Sequence, residues 1–153
     1  MKTKTLITGT LHQSAIDKFL SHDSLETIYR PDCSRSELLE LIADVQVIVT
    51  RSETTIDSEV LGQGKNLKVI ARAAVGVGNI DLESATDRGI LVINCPGKNT
   101  NSAAELTIGL LLGMFRNIPQ AQQHLKNGGW DRHTFTGLEL RNKTIALIGL
   151  GNV

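Results

Sequence analysis

A chain of 153 residues with 41% hydrophobic and 21% charged residues can fill one well-packed core and begin a second domain. Its 16 Lys and Arg balance 16 Asp and Glu, so the net charge favours neither nucleic acid nor an anionic membrane as partner, and any anion site must be local. Cys33 and Cys95 lack the CxxC or Cys/His spacing of metal and disulfide frameworks and read as free thiols in a reducing compartment. The longest apolar run, Ile108 to Phe115, falls well short of the roughly 18 residues that span a bilayer. Met1-Lys-Thr-Lys4 leads into no secretory pattern. The expectation is a cytoplasmic protein without membrane, nucleic-acid or metal partners.

In chain order, Leu6-Ile7 forms a short strand core, and Ala15, Ile16, Phe19 and Leu20 mark one side of an amphipathic helix over about Ser14 to Leu20. A weak strand at Thr27 to Tyr29 is broken by Pro31. Ser34 or Ser36 caps a helix carrying Leu38, Leu39, Leu41 and Ile42. Val45 to Val49 is a β-branched run of the kind buried in parallel sheets, with Thr50-Arg51-Ser52 at its carboxyl end. A short helix around Ser58 to Leu61 leads to the strand Leu67 to Ala71, which Arg72 follows directly. Asp81 caps a helix that stops at Gly89, and Leu91 to Ile93 is another strand. This alternation predicts an α/β fold with a doubly wound parallel sheet.

Ser102-Ala-Ala-Glu105 predicts a capping box opening a long helix whose Leu106, Ile108, Leu110, Leu111, Leu112, Met114 and Phe115 leave little polar face. Such a helix is expected inside a core or a subunit interface. Pro119 is expected to kink it before it resumes through Gln120 to Lys126. Lys143 to Ile148 reads as one more buried strand, opening onto Gly149-Leu-Gly151.

Ligands of open α/β sheets bind beyond the carboxyl ends of the strands. Arg51 and Arg72 stand at two such ends, and the forked guanidinium suits a carboxylate or phosphate. Two readings are open there: a shared anion site, or surface pairing with Asp and Glu. The loop Ala73 to Gly78 either offers backbone N–H groups to an anion or is a tight glycine turn. Gly149-x-Gly151 is half of a dinucleotide fingerprint, or a plain glycine turn. His12, His22, His124 and His133 show no metal spacing and no partner carboxylate, and read as surface residues.

The runs Arg51-Ser52, Leu67 to Ala73, Val75-Gly-Val77, Asn79-Ile-Asp81, Asn94-x-Pro96, Ser102 to Glu105, Arg116 to Ala121, Trp130-Asp-Arg132 and Ile148 to Gly151 together resemble the D-isomer-specific 2-hydroxyacid dehydrogenase family. The resemblance implies a flavodoxin-like substrate domain over 1–99. The first helix and strand of a truncated NAD-binding Rossmann domain follow over 100–153, with homodimer pairing through the helix 102–116. It implies hydride transfer between a small 2-hydroxy or 2-keto acid, phosphorylated acids included, and NAD. Arg51, Arg72, Val75, Gly76 and Asn99 match the family's substrate-binding positions; Val75, Gly149, Gly151, Asn152 and Val153 match its cofactor-binding positions. The family's catalytic His, Glu and Arg lie beyond Val153 in family order, so no catalytic residue is expected within this chain and the chain alone is expected to be inactive. Ala74 stands where the family usually has glycine, and Gly78 where it usually has aspartate. If Ala74 must adopt a left-handed backbone, it carries strain.

Two other functions stay open. One is a non-enzymatic binding or subunit-pairing lobe, favoured by the apolar helix. The other is a flavodoxin, resting on Thr8-Gly-Thr10 after the first strand but short of aromatics, with only Trp130 and Tyr29 to stack a flavin beyond the three phenylalanines.

Overall fold

A computed structural model describes residues 2–153, which divide into two compact units, one ending at Pro96 and the other covering Gly97–Val153. The first is a β/α alternation: β1 (Thr3–Ile7), α1 (Gln13–Leu20), β2 (Leu25–Tyr29), α2 (Arg35–Leu41), β3 (Val47–Thr50), α3 (Ser58–Gln63), β4 (Val69–Arg72), α4 (Leu82–Asp87) and β5 (Leu91–Ile93). The five strands are all parallel in the order β2-β1-β3-β4-β5, the doubly wound order of flavodoxin-like folds. Right-handed crossovers set the helix faces: the β1-to-β2 step runs opposite to the later steps, so α1 lies on one face and α2 to α4 on the other.

Alternation along each strand builds the two faces. Leu6, Ile48, Ile70 and Val92 lie side by side in register. They share a core with Leu38 and Ile42 at α2, Val60 and Leu61 of α3, and Ala85 of α4. The opposite ladder runs Ile7, Val49, Ala71, Ile93. Ile7 is fully buried there, whereas Ile93 is 46% exposed and Leu91 59% exposed. Helix α1 covers the β1 side of this face, and an apolar groove of about 260 Å³ among Leu11, Phe19, Val49, Ala71 and Ile93 stays open beside it.

Capping follows the sequence signals closely. Ser34, not Ser36, caps α2 by accepting from the Glu37 N–H; Asp57 caps α3 at the Val60 N–H, and Asp81 caps α4 at the Ser84 N–H. Gly89 ends α4 at φ +67°, a conformation open to glycine at no cost. Arg72 is the last residue of β4 rather than the first beyond it, because its pairing with Thr50 continues the ladder.

The second unit holds α5 (Thr100–Phe115) and α6 (Ile118–Lys126). Three expectations change here. The capping box does not form: α5 starts two residues early, after a turn at Gly97 (φ +71°), so Asn99 is its N-cap without a side-chain bond and Ser102 lies inside the first turn. The helix breaks at Asn117, whose left-handed backbone (φ 52°) separates α5 from α6, and Pro119 sits harmlessly in the first turn of α6, where its missing N–H needs no partner. Lys143 to Ile148 forms no strand: Ile145 is 57% and Leu147 80% exposed, and among the described residues no neighbour offers the backbone groups a strand needs. No residue of α5 is buried, and Leu106, Ile108, Leu110 and Met114 are each more than half exposed in this chain.

Candidate functional site

Thr50 and Arg72 end adjacent strands in register, so the β3–α3 and β4–α4 loops leave the sheet side by side at its carboxyl edge. Arg72 is 6% exposed. Its Nε donates to the Gly76 carbonyl at 2.6 Å and its Nη2 to the Ser52 hydroxyl at 3.4 Å. Nη1 is buried and has no partner. The ion pairs of the described residues join Arg30 to Glu37 and Arg35 to Asp57 and Glu59; none includes Arg51 or Arg72. The surface-pairing reading therefore does not apply to either arginine among the described residues. A buried guanidinium held only by neutral acceptors keeps its charge uncompensated, and an anion that reached Nη1 would meet a desolvated donor.

Arg51 is half-buried and leans the other way. Its Nη1 donates to the Thr10 carbonyl at 2.9 Å. Its stem lies on Gly9, where an added Cβ would sit 2.9 Å from both Cβ and Cγ of Arg51. The two arginines thus emerge from neighbouring strand ends with separate partners. Ser52, next to Arg51 in the chain and bonded to Arg72, is the link between them.

The loop Ala73 to Gly78 is tied on several sides. Ala73 N–H donates to the Thr50 carbonyl at 2.9 Å, the Asn94 side-chain amide donates to the Val75 carbonyl at 2.7 Å, and Cys95 N–H donates to the Ala74 carbonyl at 3.0 Å. Arg72 takes the Gly76 carbonyl. Neither Ala74 nor any glycine of this loop has positive φ, so Ala74 is unstrained, and an added Cβ at Gly76 or Gly78 would meet open space. The backbone conformation of the loop therefore does not require glycine at these positions.

Within the first unit the structure brings together Arg51, Arg72, Val75 and Gly76. Asn99 and Gly149, Gly151, Asn152 and Val153 belong to the second unit. Gly149 turns at φ +106°, and nothing lies within 4 Å of an added Cβ at Gly149 or Gly151. Four residues of the first unit escaped sequence reasoning as parts of the site: Gly9, Ser52, Asn79 and Asn94. Ser52, Asn79 and Asn94 stand in the runs that carry the family resemblance, whereas Gly9, between two threonines at a strand end, pointed to a phosphate loop rather than to clearance for an arginine.

A depression of about 810 Å³ lies at the opposite, amino-terminal edge of the sheet, where Lys4, Lys65, Lys68 and Arg88 stand beside Glu26 and Asp44. No cluster of His, Cys, Asp and Glu suited to a metal occurs among the described residues, and no helix among them is long and apolar enough to cross a membrane.

A sequence profile of the D-isomer specific 2-hydroxyacid dehydrogenase catalytic domain matches residues 5–148. The chain belongs to that family. It is 47% identical over 150 residues to D-3-phosphoglycerate dehydrogenase of Archaeoglobus fulgidus, a match that covers 98% of this chain and 28% of the relative. Among solved structures, a glyoxylate reductase from Paecilomyes thermophila superposes with a TM-score of 0.82 at 25% identity, over 99% of this chain and 49% of the other. The NAD+-bound 3-phosphoglycerate dehydrogenase of Entamoeba histolytica superposes with a TM-score of 0.63 at 29% identity, over 76% of this chain and 40% of the other. The chain thus spans between about a quarter and a half of the length of these relatives.

Proposed function

We propose that this chain is the substrate-side, N-terminal portion of an NAD-dependent D-2-hydroxyacid dehydrogenase of the D-3-phosphoglycerate dehydrogenase type. The observation that carries the reading is Arg72: a buried guanidinium with an unpartnered Nη1 and no carboxylate beside it. Its role is to hold the carboxylate or phosphate of a small 2-hydroxy or 2-keto acid, with Arg51 as a second cation at the neighbouring strand end. The 1–99 stretch then acts as substrate domain and 100–153 as the start of the nucleotide-binding domain.

Bound NAD would supply the hydride acceptor at C2 of the hydroxy acid. Gly149, Gly151, Asn152 and Val153 would border its pyrophosphate. The room left by the bare backbone at Gly149 and Gly151 fits this role. No acid/base residue of the reaction is assigned within these 153 residues, so the chain contributes binding and orientation rather than proton transfer. The free thiols of Cys33 and Cys95 are in keeping with a reducing compartment such as the cytoplasm.

Calorimetric titration of the chain with D-3-phosphoglycerate and with D-glycerate tests the reading. Saturable binding that Arg72→Gln weakens by about tenfold or more, the scale of one charged hydrogen bond, supports it. Absence of binding, or binding indifferent to Arg72, removes it.

A second reading has its own observation. Leu106, Leu110 and Met114 of α5 are each more than 60% exposed, a large apolar surface that favours pairing with a second copy. The pairing role is compatible with the first reading, and sedimentation at several concentrations tests it: a monomer throughout would remove it.

A further inference from the structure

Resting on the anion-site reading of Arg51 and Arg72, we infer that Asn79 is the positioning residue of that site, setting both arginines through one loop. Its side-chain Nδ2 donates to two backbone carbonyls of the β3–α3 loop, Arg51 O at 2.9 Å and Thr54 O at 2.5 Å. Between these two carbonyls lies Ser52, whose hydroxyl accepts from Arg72. One amide therefore fixes the backbone of the first arginine and the side-chain partner of the second.

The main chain around Asn79 is itself anchored. Ile56 N–H donates to the Asn79 carbonyl at 2.8 Å, Asp81 N–H donates to the Ile56 carbonyl at 2.9 Å, and Ile56 and Ile80 form a parallel bridge. The far end of the β3–α3 loop is thus held by backbone. Its near end, residues 51 to 54, hangs on side chains: Asn79 on one side, and on the β1 side the Thr54–Thr8 hydroxyl pair at 3.0 Å with the Arg51–Thr10 bond. The chemistry demands a primary amide. Two carbonyls need two donors from one atom; aspartate of the same shape would present only acceptors to them. The amide's own Oδ1 is left buried without a donor. Buried acceptors are normally paired, so the orientation of this side chain is dictated by the loop it holds.

The test compares the isotopically labelled wild-type chain with Asn79→Ala and Asn79→Asp by NMR, first without any anion. The expected result is increased fast mobility of the Arg51 and Ser52 amides and of the Arg72 guanidinium, greater in Asn79→Asp than in Asn79→Ala, while amides of α2 and α4 keep their wild-type signals. Unchanged dynamics at all three residues, with only a lowered melting temperature, would overturn the proposal, because that is the behaviour of a merely structural side chain. Should the alanine variant fail to fold, Asn79→Ser, which keeps a single donor, replaces it with an intermediate effect expected. In the second arm the folded variants are titrated with D-3-phosphoglycerate, and about tenfold weaker binding than wild type is expected; equal affinity overturns the proposal. If the wild-type chain binds no D-3-phosphoglycerate, the anion-site reading falls, and the anion-free arm still decides whether Asn79 orders the two arginines.

Discussion

The stem of Arg51 lies directly on the backbone of Gly9, so close that a methyl group at residue 9 would stand 2.9 Å from two of its carbons. The end of β1 and the end of β3 are therefore built as a pair: glycine leaves the room, and the Thr10 carbonyl one residue on receives the guanidinium.

Gly9→Ala is expected to push Arg51 off this seat and break its bond to Thr10. Overpacking of this kind costs about 1–3 kcal/mol. Chemical denaturation should show the loss of stability, and anion titration should show weaker binding than the stability loss alone explains. A variant as stable as wild type that binds equally well would mean that Arg51 can move freely.

Arg72→Met should behave differently. It removes a buried charge that has no carboxylate partner, together with hydrogen bonds to Gly76 and Ser52. The desolvation relieved offsets the bonds lost, so stability should change by no more than about 1 kcal/mol while anion binding disappears. Strong destabilisation, read from the same denaturation curves, would show instead that Arg72 chiefly holds the Ala73 to Gly78 loop.

Stability should have an acidic limb. The Arg35 guanidinium, with the Val60 N–H, holds the Asp57 carboxyl below its ordinary value; the Ser84 N–H and hydroxyl do the same for Asp81, and the Thr134 hydroxyl with the His133 and Thr134 N–H groups for Asp131. A carboxylate with a depressed folded value contributes stability that is complete above its unfolded value, roughly pH 4, and is lost as pH falls through the folded one. Thermal melts from pH 6 to pH 2 should fall most steeply below about pH 4. Arg35→Ala should shrink the Asp57 share of that limb, by a small amount because the group is exposed.

Leu110→Glu combined with Met114→Glu should abolish self-association of the chain without altering the first unit. Both side chains are about two-thirds exposed on α5, so the charges cost little in a monomer and a great deal in an apolar interface. Sedimentation and circular dichroism on the same samples separate loss of pairing from loss of fold.

Hydrogen exchange should find the amides of Lys143 to Ile148 exchanging nearly as fast as in an unfolded chain, while those of β3 and β4 are strongly protected. Protection of the 143–148 segment at low protein concentration would show that it has found a strand partner. The NADH-linked turnover of the chain alone should be nil, and any measurable rate sensitive to Arg72→Gln would place catalytic groups within these residues.

Much of this was legible from residue order alone. The apolar runs at Val45 to Val49 and Leu67 to Ala71, the cap at Asp81, and the glycine stop at Gly89 are local: each depends on side-chain shape or on a donor three residues away, so the sequence by itself determined the alternating elements, their parallel arrangement, and the arrival of Arg51 and Arg72 at one sheet edge. What only the tertiary structure decided was non-local. Whether the arginines pair with carboxylates, that Gly9 makes room for Arg51, and that Asn79 reaches back to the carbonyls of residues 51 and 54 all depend on crossovers that bring distant loops within hydrogen-bond reach. Lys143 to Ile148 shows the same limit from the other side. Its residues favour a strand, but a strand is completed by its neighbour's backbone, and no pattern within six residues can supply that neighbour.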